Sequence, residues 1–345
     1  MTMSARIFLA LLTLVFTVAL TYASVELPRM ASRALMERLE TPGFDPTSHP
    51  EETEAFIQSR HLRIVGRSVL MLTGLLILAG LIAERRGPAV AGALLFFLPV
   101  FGHFAASMFF LAGLAALRVV WLPILEVSHD VMALGDIVYL PYAAVVYPLV
   151  NLGFDIRDQL PWPVMGAGIA IFAASTMTWF VARFEGRGVA DSRLYRISRH
   201  PQYLGWIIWS YGLLLFVLRH SELYQFKIRW GMPSSLPWLV STLVIIGVAM
   251  IEEIRMAAAE GEPYRSFRAR TPFLLPLPSW LAKVFAAPMR WVIRRPWPET
   301  GAQVAVVVGV YAVILIAASV PLVAFDWPPR IGWWGFPYNV WPLAG

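Results

Sequence analysis

The sequence predicts an all-α fold, a polytopic membrane helical bundle with about eight transmembrane helices. Two features of its composition point to this fold class. Apolar residues make up 58% of the 345 residues and charged residues 14%, with a mean hydropathy of +0.63. Soluble domains carry about 25% charged residues. In addition, the apolar residues are gathered into long stretches separated by polar segments, as in multi-pass membrane proteins.

Eight apolar stretches are long enough to be transmembrane helices, which need about twenty residues to cross the hydrocarbon core. The third contains Pro99 and Gly102, so we expect that helix to be kinked or strongly tilted. Because only Arg6 precedes the first apolar run, we treat this run as a retained helix and not as a signal peptide. The predicted spans are 6–24, 68–84, 89–117, 136–154, 161–182, 203–218, 234–251 and 301–325.

The distribution of lysine and arginine predicts an N-terminus outside the membrane, since cytoplasmic segments carry the excess of basic residues. In this orientation twenty basic residues are cytoplasmic and eight, including Arg85 and Arg86, lie on the outer side. We expect a multi-pass protein of a bacterial inner membrane. The predicted cytoplasmic segments are 25–67, 118–135, 183–202 and 252–300.

Composition also excludes several classes of function. The chain has no cysteine, which excludes disulfides, thiolate–zinc sites and cysteine nucleophiles. Its six histidines are scattered without metal-ligand spacing, so we expect no metal. Although the net charge is +6, no basic patch interleaved with aromatic residues marks a soluble nucleic-acid-binding domain, so we expect no nucleic-acid partner.

The main functional signal begins in the polar segment 195–205, which leads directly into an apolar run. Pro201 fits the first turn of a helix, and His200 then falls near the N-cap. A helix N-terminus presents free N–H groups and the positive end of its dipole, which favour an anionic group. The neighbouring cations Arg199 and His200 strengthen that preference.

A second signal follows about fifty residues later, where the apolar run 234–251 ends in Glu252 and Glu253. A cationic helix entrance and a pair of carboxylates, both at a membrane boundary, suit a ligand that carries charges of both signs. We therefore predict that these two helix ends form one pocket. Gly205, Trp209 and Gly212 share one stripe of their helix, which favours close approach of a neighbouring helix.

Together these segments resemble the C-terminal motif of the integral-membrane methyltransferases typified by isoprenylcysteine carboxyl methyltransferase and the phospholipid N-methyltransferases. That family has Arg-His-Pro-x-Tyr-x-Gly, an apolar helix, Glu-Glu, and then Gly-Glu-x-Tyr and a proline. The resemblance covers roughly residues 185–276, in order and with compatible spacing. The matching residues are Arg199-His200-Pro201-Gln202-Tyr203-Leu204-Gly205, Glu252-Glu253, Gly261-Glu262-Pro263-Tyr264 and Pro272.

The resemblance implies transfer of a methyl group from S-adenosylmethionine to a hydrophobic or lipid-borne acceptor that enters from the bilayer. The cofactor would enter from the cytoplasm into a pocket in the C-terminal half. Its carboxylate would meet Arg199 and His200, and its ammonium or ribose hydroxyls would meet a glutamate. A catalytic residue is not assigned. The predicted cofactor-binding residues are Gly188, Val189, Ala190, Tyr195, Arg199, His200, Pro201, Gln202, Tyr203, Gly205, Glu252 and Glu253.

Two other functions stay open. Sterol reductases are similar in this C-terminal region and use NADPH, although their motif generally lacks the proline found here at position 201. A transporter or assembly factor could also retain the fold without turnover. The acceptor is open as well, because isoprenylcysteine enzymes carry an arginine just ahead of the paired carboxylates, where this chain has Val248, Ala249 and Met250. A lipid amine, a thiol or a phenol is an alternative acceptor.

The chain divides into three predicted regions. An N-terminal transmembrane half (1–155) includes the cytoplasmic loop 25–67, and a methyltransferase-like core follows at 156–276. The region 277–345 holds an amphipathic helix at 279–293, the last transmembrane helix and a tryptophan-rich tail. We expect the amphipathic helix to lie in the membrane interface, with a break at Pro288, and to contact membrane lipids.

Overall fold

The computed structural model describes residues 2–39, 55, 57–109, 116–220 and 235–325. All regular secondary structure in these ranges is helical. Short 3-10 turns cover Ala116–Val120, His129–Ala133, Asp136–Tyr139 and Arg193–Arg196. The α-helices are α1 (Met3–Leu39), α2 (Leu62–Ile82), α3 (Arg86–Phe109), α4 (Leu122–Leu125), α5 (Leu140–Asn151), α6 (Pro161–Phe184), α7 (Pro201–His220), α8 (Ser235–Glu260), α9 (Glu262–Arg270), α10 (Ser279–Ile293) and α11 (Gly301–Ala324).

The predicted fold class, a polytopic helical membrane bundle, is confirmed. Within the described ranges five helices, α1, α2, α6, α8 and α11, are long and apolar enough to cross a membrane. Helix α8 is the central one, because 83% of its most apolar window is buried by neighbouring helices, against 11% for α11. Helices α3 and α7 pack beside it and complete the layer that holds the site.

The predicted fourth span, 136–154, is wrong. Its helix, α5, has 12 residues and rises about 18 Å, less than the ~30 Å hydrocarbon core. Before α5, Ser235 at the start of α8 donates to Asp136 at 2.6 Å, and after α5 the carbonyl of Arg157 accepts from Tyr142 at 3.2 Å. The segment therefore enters and leaves at the end of the bundle where α6 and α8 begin.

Without a span at 136–154, the predicted side of the turn between α2 and α3 changes. Arg86, at the start of α3, donates to Glu252 at 3.0 Å, so the turn between α2 and α3 lies beside the paired carboxylates. We call this end of the bundle, where α7 begins and α8 ends, the site end. The predicted placement of Arg85 and Arg86 on the side opposite the motif is therefore wrong. The cytoplasmic placement of the loop 25–67 stays a prediction, because residues 40–54 lie outside the described part of the chain. Sixteen of the 28 basic residues lie at the site end.

The N-terminus also belongs to the site end. Thr13 of α1 contacts Met177 at 3.5 Å, and Phe16 packs against Phe180, near the end of α6. Further along α1, Val25 packs against the core cluster that contains Trp121 and Val146, toward the opposite end of the bundle. Helix α6 ends at the site end because it is antiparallel to α7. The predicted N-terminus on the side opposite the motif is thus corrected as well, whereas the excess of basic residues at the motif remains.

The most extensive helix contact among the described residues, between α6 and α7, depends on small residues. A Cβ added to Gly205 would lie 2.6 Å from the backbone nitrogen of Phe172, and one added to Gly212 would lie 2.5 Å from Met165. On the facing helix, a Cβ on Gly168 would overlap the backbone of Trp209. The predicted close approach at Gly205 and Gly212 is confirmed, and it fixes the position of the α7 N-terminus.

Helix α10 forms where the amphipathic pattern predicts a helix, but it continues through Pro288, so the predicted break there is wrong. Its apolar residues Trp280 and Trp291 are 65% and 82% exposed, as on a face that contacts lipid. The tryptophan-rich tail beyond residue 325 lies outside the described part of the structure.

Candidate functional site

The backbone around the start of α7 is held by a segment seventy residues away. The N–H of Arg199 donates to the carbonyl of Pro272 at 2.9 Å, and Ser198 donates to the carbonyl of Phe273 at 3.4 Å. The N–H of His200 in turn donates to the Ser198 hydroxyl at 3.2 Å. Helix α7 starts at Pro201, as predicted, and the chain before it is fixed on two sides.

This arrangement brings the predicted helix ends together at Glu253. Its carboxylate is fully buried, with 0% exposure, and accepts from Arg199 Nη1 at 2.7 Å. The other oxygen lies 3.2 Å from Nε2 of His200. Arg199 and His200 are themselves 9% and 7% exposed. A charge so deeply buried persists when it is paired and hydrogen-bonded, and both oxygens of Glu253 meet that condition.

Aromatic rings surround the guanidinium of Arg199. Its central carbon lies 5.5 Å from the ring centre of Phe273 and 5.3 Å from that of Trp297. Arg268 lies over the same indole at 4.9 Å and reaches Glu253 at 3.6 Å. We call Arg199, His200, Glu253, Arg268 and Trp297 the buried ion cluster.

Burial lowers the pKa of the Arg199 guanidinium, and the charge of Glu253 opposes that shift. Because an arginine guanidinium holds its proton far above neutral pH, Arg199 remains cationic at neutral pH. Two donors of the cluster, Nε of Arg199 and Nε1 of Trp297, are buried without a hydrogen-bond acceptor among the described residues. Unpaired buried donors are uncommon and suit an acceptor group of a ligand.

Glu252 points in a different direction from its neighbour. It accepts from Arg86 at 3.0 Å, and its other oxygen lies 3.9 Å from Nδ1 of His200. Its side chain is 30% exposed, and the hydroxyl of Tyr203 interacts with both Glu252 and Arg86. His200 therefore bridges the two carboxylates, with one ring nitrogen toward each.

A groove of about 420 Å³ opens beside this pair. Its lining comes from three helices, α3, α7 and α8, and has two polar side chains, those of Arg86 and Tyr203. The volume lies within the range of small-molecule sites. The residues that line the groove are Arg86, Gly87, Val90, Ala91, Leu94, Tyr203 and Val248.

The segment before α7 forms a separate small cluster. Tyr195 packs with Tyr264 of α9, and Val189 and Ala190 pack against them. Burial raises the pKa of both phenols, and the charges of Glu252 and Glu253 add to this for Tyr195 and Tyr264 respectively. The two tyrosines thus link the predicted 188–190 segment to the carboxylates through electrostatic contacts.

Other predicted site residues have packing partners outside the charged cluster. Gln202 donates to Thr176 of α6 at 3.2 Å, and Gly205 lies against the α6 backbone. Gly188 is exposed and lies directly against the carboxylate of Glu260. The structure thus gathers Arg199, His200, Tyr203, Glu252 and Glu253 and leaves these three at its edges.

Three further members of the site were not predicted as site residues. Arg86 comes from the N-terminal half, and no local pattern connects it to a residue 166 positions away. Arg268 and Trp297 reach the cluster from α9 and from the segment after α10. Arg268 follows Tyr264 by four positions, so helical spacing from the Gly-Glu-x-Tyr motif could have suggested it. No such signal marks Trp297.

The fold and the site define a multi-pass helical membrane protein with a polar cluster at one end. Residues 134–271, from α5 to α9, match a family described as a protein of unknown function, DUF1295. The matched segment contains both the Arg199-His200 pair and the Glu252-Glu253 pair. Searches of curated proteins and of solved structures gave no match. Within the described ranges, no group of three or more histidine, aspartate or glutamate side chains is arranged to hold a metal ion.

Proposed function

We propose that this protein is an integral membrane methyltransferase that uses S-adenosylmethionine and acts on a hydrophobic or lipid-borne acceptor. One observation carries the proposal, the meeting of the helix entrance at Arg199 and His200 with the carboxylates at the end of α8. One of these carboxylates, Glu252, is paired with Arg86, which lines the groove. Such a site suits a zwitterionic cofactor on its polar side and an apolar acceptor on its lipid side.

Several residues support this choice of cofactor. Its carboxylate accepts hydrogen bonds, and Nε of Arg199 and Nε1 of Trp297 are buried donors without an acceptor among the described residues. Its ammonium or ribose hydroxyls require an accessible carboxylate, and Glu252 is the more exposed of the pair. Tyr203 and Tyr195 offer ring faces and hydroxyls to the sulfonium or the adenine.

S-adenosylmethionine supplies an electrophilic methyl group, and the protein's contribution is to position two reactants and exclude water. Glu253 acts as a positioning residue in this scheme, because it holds Arg199 and His200 in fixed orientations. The close α6–α7 contact keeps the start of α7 in place. The apolar residues that line the groove, such as Val90 and Val248, keep water from the acceptor side.

The matched family is distantly related to steroid 5α-reductase-like and methyltransferase-like membrane proteins. This relation supports a membrane enzyme and is compatible with either cofactor, NADPH or S-adenosylmethionine. The paired opposite charges favour the zwitterionic amino-acid end of S-adenosylmethionine. Binding of NADPH, which would indicate a reductase, is therefore the alternative result that the titration below can give.

The test is calorimetric titration of the purified protein in nanodiscs with S-adenosylmethionine and, separately, with NADPH. We expect binding of S-adenosylmethionine, weakened about tenfold or more by Glu252→Gln, since a charge-assisted hydrogen bond is lost. Glu262→Gln is the matched control, because that carboxylate is 80% exposed on α9. A radiolabelled methyl donor with lipid, thiol and amine acceptors then tests turnover.

Binding of NADPH in place of S-adenosylmethionine would replace the proposal with a reductase. Binding of neither would favour a non-enzymatic membrane protein. Equal affinity of the Glu252→Gln and wild-type proteins for S-adenosylmethionine would remove Glu252 from the binding site.

A further inference from the structure

The groove beside Glu252 has a polar end and an apolar end. Arg86 and Tyr203 form the polar end, at the site end of the bundle. Leu94 lies eight residues further along α3, about 12 Å deeper at 1.5 Å per residue. Val248 lies one turn before Glu252 on α8 and forms the opposite wall. This shape matches a molecule with one polar head and one apolar chain.

The groove reaches the outer surface of the bundle. Gly87 and Ala91 of its α3 wall are exposed, whereas Tyr203 and Val90 are partly buried. The wall follows one stripe of α3, at positions 87, 90, 91 and 94, which helical spacing places on one face. A lipid-like chain could therefore enter sideways, from the bilayer, without passing through the polar end.

The charged side chains around the groove determine which polar head group a ligand can carry. Among the charged side chains of the groove and the buried ion cluster, three arginines, Arg86, Arg199 and Arg268, face two glutamates, Glu252 and Glu253. One positive charge is left over, not counting His200. The arginine that lines the groove is Arg86, whereas the carboxylate of Glu252 is not part of the lining.

Arg86 retains donors for a ligand. A guanidinium has five N–H donors in a planar fork, and Glu252 accepts from Nη1 of this one. Its side chain is 45% exposed, so the remaining edge is accessible from the groove. A carboxylate or phosphate matches such a fork with two parallel hydrogen bonds, which an amine or an alcohol head cannot form.

We infer that the groove binds a single-chain amphiphile with an anionic head, carboxylate or phosphate, held at Arg86, and that this molecule is the acceptor. In the transfer, an oxygen of the head would form the bond to the methyl carbon while the carbon–sulfur bond breaks, and S-adenosylhomocysteine would leave. The inference rests on the proposed function for the role of acceptor, while the binding itself does not depend on it. The apolar chain lies along Val90, Leu94 and Val248. Arg86 is then the residue that selects the acceptor by its charge.

The experiment measures displacement of a fluorescent dodecanoate from the protein in nanodiscs by four probes with the same chain, namely dodecanoate, dodecyl phosphate, dodecanol and dodecylamine. We expect the two anions to bind about tenfold or more tightly than the alcohol and the amine. The stronger of the two anions identifies the head as a carboxylate or a phosphate. Arg86→Gln should reduce anion affinity about 10- to 100-fold and bring it to that of the alcohol.

Two matched controls separate the groove from the surface. Arg85→Gln removes the adjacent exposed arginine and should leave the ranking of the probes unchanged. Ala91→Trp fills the groove from its exposed wall and should weaken all four probes, whereas Val306→Trp, at an exposed position of α11, should not. Ala91→Trp should keep wild-type affinity for S-adenosylmethionine.

Equal binding of all four heads, or anion binding that survives Arg86→Gln and Ala91→Trp, would overturn the inference. If the wild-type protein does not bind S-adenosylmethionine, the proposed function is contradicted, whatever the result with the four probes. The two failures are therefore distinguishable in the same preparation.

Discussion

Glu252 and Glu253 are adjacent on α8, yet they lie in contrasting surroundings. Glu253 is fully buried and both of its oxygens are bound by Arg199 and His200. Glu252 is 30% exposed, is paired with Arg86 and lies beside the groove. Successive residues of an α-helix point about 100° apart, so one carboxylate faces the interior of the bundle and the next faces its edge.

The contrast separates two roles that a paired-carboxylate motif combines. A buried, fully bonded carboxylate fixes the geometry of its partners, and its removal leaves their charges uncompensated. An accessible carboxylate with one strong partner can exchange that partner for a ligand. We therefore expect Glu253 variants to fail in stability and Glu252 variants to fail in binding.

The largest expected effect is on stability. Glu253→Gln should lower the free energy of unfolding by about 3–5 kcal/mol, since Arg199 would remain buried without its counter-charge. Unfolding in mixed detergent and dodecyl sulfate micelles, followed by tryptophan fluorescence, measures the change. Glu262→Gln, on the exposed face of α9, is the control and should behave like the wild type. A similar stability for both variants would contradict the structural role of Glu253.

The next effect is the coupling between the two partners. Arg199→Met combined with Glu253→Leu should be less destabilising than the sum of the single changes, with a coupling on the order of 2 kcal/mol. The reason is that the double change leaves no unpaired charge at this contact, and apolar replacement of a buried pair is often tolerated. A double-mutant cycle with the same unfolding assay gives the coupling. Additive losses would mean that the 2.7 Å contact contributes little.

Replacement of Trp297, whose indole lies under Arg199 and Arg268, should have a smaller effect on the free energy of unfolding. Trp297→Leu should destabilise the protein by about 1–2 kcal/mol, because Arg199 and Arg268 both lose a ring face. The comparison is Trp291→Leu, since that indole is 82% exposed and should contribute nothing to the buried ion cluster. If the two replacements have equal effects on unfolding, the ring contacts are not part of what holds the cluster.

The smallest effect concerns the exposed pair. Glu252→Gln and Arg86→Gln should each change the free energy of unfolding by less than about 1 kcal/mol, because exposed ion pairs contribute little and are screened by salt. Unfolding at low and at high salt concentration tests this, and a salt-independent loss of several kcal/mol would show that the pair belongs to the folded core.

Residue pattern was a good guide to most of the fold. Seven of the eight predicted apolar runs coincide with helices of the described ranges, five of which are long and apolar enough to cross a membrane, and Pro201 correctly marked the start of α7. The run 136–154 misled because most of its residues are apolar, from Ile137 to Val150, with Pro141 and Pro148 inside it. High hydropathy indicates that a segment avoids water, but it does not distinguish burial in lipid from burial in protein. Tyr142 and Val146 of this segment are buried by neighbouring helices. That one error displaced Arg85 and Arg86 to the wrong side.

The candidate site was predicted in part. Arg199, His200, Glu252 and Glu253 lie within one charged cluster, as their membrane-edge positions suggested. The partners from distant segments, Arg86 and Trp297 above all, could not be predicted, because no periodicity links them to the motif. The different surroundings of the two glutamates also required the structure.

By itself the sequence determined which segments are helical and apolar and which helix ends carry charge, since both follow from local composition and helix geometry. The tertiary structure decided which helix ends meet, which apolar helices the bundle buries, and which carboxylate stays accessible. These depend on packing between residues far apart in the chain, such as Gly205 against the α6 backbone and Arg86 against Glu252. Such contacts are fixed when the helices assemble.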